Sequence, residues 1–402
     1  MTQAAELMPE KAGFDRQRLS RISTMLRGYV ERGELPGVSA AISRAGITSF
    51  YEKFGWQDIA AEKPLEFDTL FRIMSMTKPV TAVAAMLLYE EGHFDLNTPI
   101  CDFLPAFTKM RVFTGADTYG EVQTEDAAIP ITFRHLFTHT SGLSYGSMPN
   151  DPVDQLYQDT FTQTERRAET ILSFAEELAQ HPLAFQPGTQ WRYGYNLDIL
   201  GALVEVLSGM DLAEFMQKRI FVPLNMVDTA FDVPVSKQDR LAIVYRRHPK
   251  RDVLVKRTSP VPMPVKMWGG GGLVSTLGDY SHFAEMLANH GAYGGVQLLS
   301  PSTVEMFSTN WAAPQALPSF HAADPRINGG YGLSLGTAVL MDPSPTGKFG
   351  NVGEFYWGGA FSTYFWIDPQ ESLYGVLMTQ LDPVWAYPTP WQFKQLTYQA
   401  LV

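Results

Sequence analysis

Segments that read as strands lie at both ends of this chain, and segments that read as helices fill the space between. Val38 to Ser43 and Ile47 to Phe54 flank a turn at Ala45-Gly46. After Gly329, Tyr331 to Leu340, Gly353 to Ile367 and Ser372 to Thr379 again carry strand patterns, and Trp391 to Leu401 closes as a helix. Helical spacing marks Leu19, Ile22, Leu26 and Val30 behind a capping Asp15, then residues 75–91, 165–180, 197–208 and 277–289. Residues 108–130 read as irregular. Early strands must find partners, and the late strands are the ones available. The pattern predicts an α/β (α+β) fold: a mixed antiparallel sheet flanked by helices, with a mostly helical part inserted. The sheet part would comprise about residues 14–75 and 290–402, and the helical part about 76–289.

A chain of 402 residues, 45% hydrophobic, can bury a large core. Its formal charge of -11 disfavours nucleic acid and anionic membranes as partners. No apolar run is long enough to span a bilayer. Cys101 is the only cysteine, which excludes an internal disulfide and a multi-cysteine metal site. Met1 to Gly13 lacks a basic segment followed by an apolar one, so the expected location is cytoplasmic.

Ser75-Met76-Thr77-Lys78 is the single S-x-x-K of the chain. It follows a strand-like stretch, Leu70 to Ile73, and opens an apolar-faced helix. Residues three apart on a helix share a face, so the Lys78 amine can reach the Ser75 hydroxyl. A serine hydroxyl becomes a nucleophile when a neighbouring base takes its proton, and a helix start favours developing negative charge. Pro79 falls in the first turn, where its missing N–H costs little. Standing alone, the motif is better described as a capping serine and a surface lysine.

Further motifs follow in order. They are His135-Leu136-Phe137-Thr138-His139-Thr140-Ser141-Gly142, then Pro187-Gly188-Thr189-x-Trp191-x-Tyr193, then Gly270 to Thr276, then Trp357-Gly358-Gly359. With Ser75-x-x-Lys78, this set resembles the serine β-lactamase and penicillin-binding-protein superfamily, on its class C and family VIII carboxylesterase side. The resemblance spans roughly Gly13 to the C-terminus. It implies an active site between a sheet part and a helical part. It also implies Ser75 as the acylated nucleophile, with Lys78 and Tyr193 as its proton relay. By position, the oxyanion would meet the N–H groups of Ser75 and Ala360, beside Gly359. Trp357 and Tyr145 would contact substrate, and Asp198 falls where some such esterases carry a site residue. Asp198 reads equally well as helix-face structure.

Two departures from the superfamily pattern bear on substrate. Tyr193-Gly194-Tyr195 lacks an asparagine two places after the first tyrosine; Asn196 is one residue too far. The superfamily's K-T-G box is absent, and Trp357-Gly358-Gly359 stands in its place. An indole there removes a cation that would hold a substrate carboxylate and adds apolar wall. The expected activity is therefore hydrolysis of short- or medium-chain acyl esters, with no metal or organic cofactor. The alternatives are acyl transfer from the same acyl-enzyme, a β-lactamase or D-amino-acid peptidase, and a non-catalytic binding protein.

Three patterns compete with this reading. Gly142-Leu143-Ser144-Tyr145-Gly146 satisfies G-x-S-x-G, but that elbow needs a strand before and a helix after. Here a helix precedes it, and residues 147–152 are unsuited to opening a helix promptly. His135 and His139 have the i, i+4 spacing of zinc ligands, but Leu136 occupies the glutamate position of H-E-x-x-H, so both read as structural. Gly269 to Gly272 reads as a tight turn or a close packing contact.

Overall fold

The computed structural model describes residues 7–118, 121–148, 151–161, 170–248, 250–251, 253–258, 268–323 and 329–402. In chain order the elements that position the site are α1 (Arg16–Glu31), β1 (Gly37–Arg44), β2 (Ile47–Asp58) and β3 (Lys63–Pro64). Next come α2 (Thr77–Glu90), α3 (Phe133–Phe137), α4 (Pro152–Phe161), α5 (Ile171–Leu178), α6 (Asn196–Ser208) and α7 (Leu277–Ala288). The chain closes with β4 (Tyr331–Leu333), β5 (Ala338–Leu340), β6 (Phe355–Gly358), β7 (Tyr364–Asp368), β8 (Leu373–Thr379) and α8 (Thr389–Tyr398).

All eight strands form one antiparallel sheet in the order β4-β5-β6-β7-β8-β1-β2-β3. The two ends of the chain meet at β1 and β8, in register from Val38 opposite Thr379 to Arg44 opposite Leu373. This is the sheet expected from the strand-rich ends. Alternation along the strands builds two cores. Val38, Ala40, Ile42, Tyr364, Trp366, Leu373 and Leu377 face α1 and α8. Ala41, Phe365, Ile367, Val376 and Met378 face the larger core, which includes Tyr280, Phe283 and Leu287 of α7. Thus α7, inside the 76–289 stretch read as helical, packs on β1, β7 and β8. The other helices centre on α6, which packs against α2, α3 and α5.

Several local expectations need correction. Residues 108–130 contain a hairpin, Arg111–Ala116 with Val122–Asp126. Most of its residues are solvated, so no apolar alternation announced it. The stretches 331–340 and 353–367 are each two strands, and the break at 359–363 forms part of the site. A helix, α4, does begin at Pro152, where proline takes an early position needing no N–H. Of the helix expected over 165–180, the described part is α5, capped by Thr170; residues 162–169 lie outside the described residues.

Candidate active site

Ser75 sits two residues before α2, in a single 3-10 turn, Met74–Met76. Phe71–Arg72 pairs with Val274–Ser275 and leads the chain into that turn. Met74 is held at φ 48°, in the left-handed region that side-chain-bearing residues avoid. Such a residue costs on the order of 1–3 kcal/mol and persists when its surroundings over-determine it. Those surroundings are present: Ile73 N donates to the Leu273 carbonyl (3.1 Å), and Leu273 N donates to Thr77 Oγ1 (3.1 Å). Tyr280 OH donates to the Met76 carbonyl (3.0 Å).

One helical turn on, Lys78 is fully buried. Its Nζ donates to Ser75 Oγ at 3.1 Å and to the Gly270 carbonyl at 2.6 Å. No carboxylate pairs directly with Lys78 among the described residues. The ammonium instead lies 4.7 Å from the Tyr193 ring centroid and 5.4 Å from that of Tyr145, contacts that suit a cation taken out of water.

Tyr193 is fixed from both sides. Arg192 N donates to the His139 carbonyl (3.0 Å), and the Arg192 guanidinium binds Asp151 (2.7 Å) and Asp154 (3.0 Å). Gly194 is so close to the Leu143 carbonyl that an added Cβ would collide with it. The Tyr193 ring lies 4.8 Å from His139 and 5.8 Å from Trp357. It meets Lys78 through its face. Its hydroxyl makes no hydrogen bond among the described residues.

Opposite Ser75, β6 ends in Trp357-Gly358 and turns through Gly359 and Ala360. Gly359 N donates to Thr363 O (2.9 Å), and Ser362 N donates back to Gly359 O (2.9 Å). A Cβ on Gly358 would lie 2.5 Å from Trp385, so glycine lets the strand edge approach its neighbours. The exposed Ala360 has no backbone partner for its N–H among the described residues. Between this edge and Ser75 lies a cavity of about 300 Å³. Ser75, Tyr193, Trp191, Tyr356, Trp357, Gly358, Gly359, Ala360 and Trp385 line it, with Phe320, Ala323 and Val384. None of these side chains is charged. Trp385 and Phe320 carry no motif and were not singled out in the sequence; only the folded chain brings them here.

Tyr145 does not line this cavity. It lies behind Lys78, and its hydroxyl donates to Asp198 Oδ2 (3.3 Å). Asp198 is fully buried, and its Oδ1 accepts the Gly270 N–H (2.7 Å). Burial pushes the Asp198 carboxyl up to about 7, against the lowering effect of Lys78, the Gly270 N–H and the Tyr145 hydroxyl. Burial, with Asp198 beside it, pushes the Tyr145 phenol well above its ordinary value.

The competing patterns resolve as structure. Ser144 is buried, and its hydroxyl donates to Asp154, the carboxylate that Arg192 also holds. His135 Nδ1 accepts the Thr132 N–H (3.2 Å), and burial, with Arg134 nearby, pushes His135 down to about 4. His139 is buried against Asn196 (3.0 Å); burial first and the Lys78 charge second hold it well below its ordinary range. The described residues contain no group of three or more His, Cys, Asp or Glu that could hold a metal ion. The glycine run is a close packing contact, as read: Gly269 abuts Leu197 and Gly270 abuts Asp198.

Known proteins share this fold and much of this sequence. Protein Rv1367c of Mycobacterium tuberculosis (strain ATCC 25618 / H37Rv) is 34% identical over 366 residues, 89% of each chain. Lovastatin esterase of Penicillium rubens is 29% identical, over 88% of this chain and 91% of its own. The structure of EstCE1, described as a hydrolase with promiscuous acyltransferase activity, superposes with a TM-score of 0.78 at 25% identity, over 95% of this chain and 99% of that one. A family model described as Beta-lactamase matches residues 22–398. With the family model matched over nearly the whole length, and an S-x-x-K serine set beside a buried lysine, the chain belongs to the beta-lactamase family.

Proposed function

We propose that this protein is a carboxylesterase that hydrolyses short- or medium-chain acyl esters through an ester formed on Ser75. The observation that carries the reading is the 3.1 Å contact of Lys78 Nζ with Ser75 Oγ, at the edge of an uncharged, aromatic cavity. Ser75 Oγ attacks the ester carbonyl carbon, and its proton passes through Lys78 and Tyr193 to the departing alkoxide. The N–H groups of Ser75 and Ala360 receive the oxyanion. Water, giving its proton to the same relay, then attacks the acyl carbon and releases the acid and the Ser75 hydroxyl.

The cavity wall supports an ester over a β-lactam. Where the superfamily's lysine would hold a carboxylate, this chain offers the Trp357 indole. Likeness to lovastatin esterase and to EstCE1 supports the same choice, and EstCE1 makes acyl transfer the second reading. In that case an alcohol replaces water in the second step. Among the described residues no helix is long and apolar enough to cross a membrane. A cytoplasmic location suits a chain whose single cysteine needs no oxidising compartment.

The test measures p-nitrophenyl butyrate and nitrocefin hydrolysis side by side, with and without an added acceptor alcohol. Ester turnover should exceed nitrocefin turnover by at least about a hundredfold. The reverse order would sink the esterase reading. A transferred ester accumulating faster than free acid in dilute alcohol would move the protein to the acyltransferase reading.

A further inference from the structure

We infer that Asp198 is a positioning residue for the Lys78 amine, acting through Gly270: the carboxylate holds the Gly270 N–H at 2.7 Å, and the Gly270 carbonyl receives Lys78 Nζ at 2.6 Å. The inference rests on the reading of Ser75 and Lys78 as the acylating pair. The chain of contacts runs from α6 through one glycine to α2 and ends on Ser75 Oγ, 3.1 Å from the amine.

The glycine is required. A Cβ at position 270 would lie 2.5 Å from Asp198 Oδ2 and 2.7 Å from the Tyr145 hydroxyl. Only a bare Cα lets the carboxylate grip the backbone while the same residue offers its carbonyl to the lysine. The segment is pinned a second time, because Thr81 Oγ1 on α2 donates to the Gly269 carbonyl (2.7 Å). Among the described residues Asp198 is a buried carboxylate with no cation in direct contact, an arrangement that is expensive for a fold to keep. Its counter-charge is Lys78, reached across the Gly270 backbone. That spacing has a use. A carboxylate bonded directly to Nζ would compete with Ser75 for the amine's protons, whereas a carbonyl fixes the amine in place and carries no net charge.

The charged and titratable groups facing Asp198 among the described residues are Lys78 on α2, Tyr145 on the loop after α3, and Tyr195 just before α6. Since burial pushes Asp198 up to about 7, this carboxylate changes charge near neutrality while Tyr145 and Tyr195, both pushed up by burial, stay protonated there. As pH falls and Asp198 takes up a proton, Gly270 loses a charged acceptor and Lys78 its counter-charge. Acylation should slow on the acid side.

The experiment follows covalent labelling of Ser75 by a fluorophosphonate, read by intact mass, between about pH 5.5 and 8.5 in wild type, Asp198→Asn and Asp198→Ala. Asparagine keeps an oxygen for Gly270 and loses the charge; alanine loses both. Wild type should show an acid limb near pH 7. Asp198→Asn should label about tenfold more slowly at pH 8 with that limb gone, and Asp198→Ala about a hundredfold more slowly. KM for p-nitrophenyl butyrate should stay within about twofold, because Asp198 does not line the cavity. Folded Asp198→Ala that labels within about threefold of wild type overturns the inference, as does an acid limb that survives in Asp198→Asn. If alanine prevents folding, the asparagine limb alone decides. Wild type left unlabelled at Ser75 would overturn the underlying reading, which keeps the two failures apart.

Discussion

The Cα of Gly359 packs against the carbonyl of Ile73, two residues before Ser75, so closely that an added Cβ would collide with that oxygen and with Thr363 Oγ1. Thr363 Oγ1 also donates to the Ile73 carbonyl (3.3 Å). The turn after β6 and the nucleophile turn are thereby held as one unit, although the stretch read as the helical part, about 76–289, separates them in sequence. Gly359→Ala must push these turns apart. Overpacking of this kind costs about 1–3 kcal/mol in stability. If the gap between them holds the oxyanion, kcat should fall by about a hundredfold. Unchanged kcat with lowered stability would show that the Gly359 turn does not face the reacting carbonyl.

Ser75 and Ser144 make opposite predictions. Ser75→Ala should lower ester hydrolysis by at least about a thousandfold in a fully folded protein. Ser144→Ala removes one partner of Asp154, which keeps Arg192 (3.0 Å) and the Met148 N–H (2.7 Å). The expected loss is about 1–2 kcal/mol of stability with most of kcat retained. Urea melts and initial rates on the two variants separate these roles, and an inactive but folded Ser144→Ala would refute the assignment.

Trp357→Lys should put a cation on a wall that has none among the described residues. Relative kcat/KM for a succinyl half-ester over the matching butyryl ester should rise by about tenfold. The ratio, unlike either rate alone, is insensitive to a general loss of activity. An unchanged ratio would contradict the argument that the indole disfavours carboxylate-bearing substrates.

Stability should fall on the acid side partly through His135. Its folded value is about 4, against an ordinary value of about 6.5, so unfolding takes up a proton in between. The contribution to stability is intact above about pH 6.5, declines as pH falls through the window, and levels off below about 4. Between pH 7.5 and 5 this one group accounts for about 2 kcal/mol. His139, also held low, acts in the same direction. His135→Asn keeps an acceptor for the Thr132 N–H and should flatten the pH dependence of the urea midpoint. An unaltered slope would remove His135 from the account.

What the amino-acid sequence determined by itself is local or repetitive. The reach of Lys78 to Ser75 follows from i, i+3 spacing. The two faces of the sheet follow from alternation in residues 38–42 and 364–377, and the pairing of the ends follows from where the strands lie. The glycines of 269–272 announced a tight turn or a close packing contact, though not against what. The tertiary structure decided the rest, because contacts between residues far apart leave no periodic trace. Only the folded chain shows that the Gly270 carbonyl meets Lys78, that Asp198 sits behind it, and that Tyr145 stands there too and not on the cavity wall. Trp385 and Phe320 complete that wall without a motif. Met74 gave no warning of its left-handed backbone, since methionine has no preference for that conformation; the packing of Leu273, Thr363 and Tyr280 around the turn imposes it.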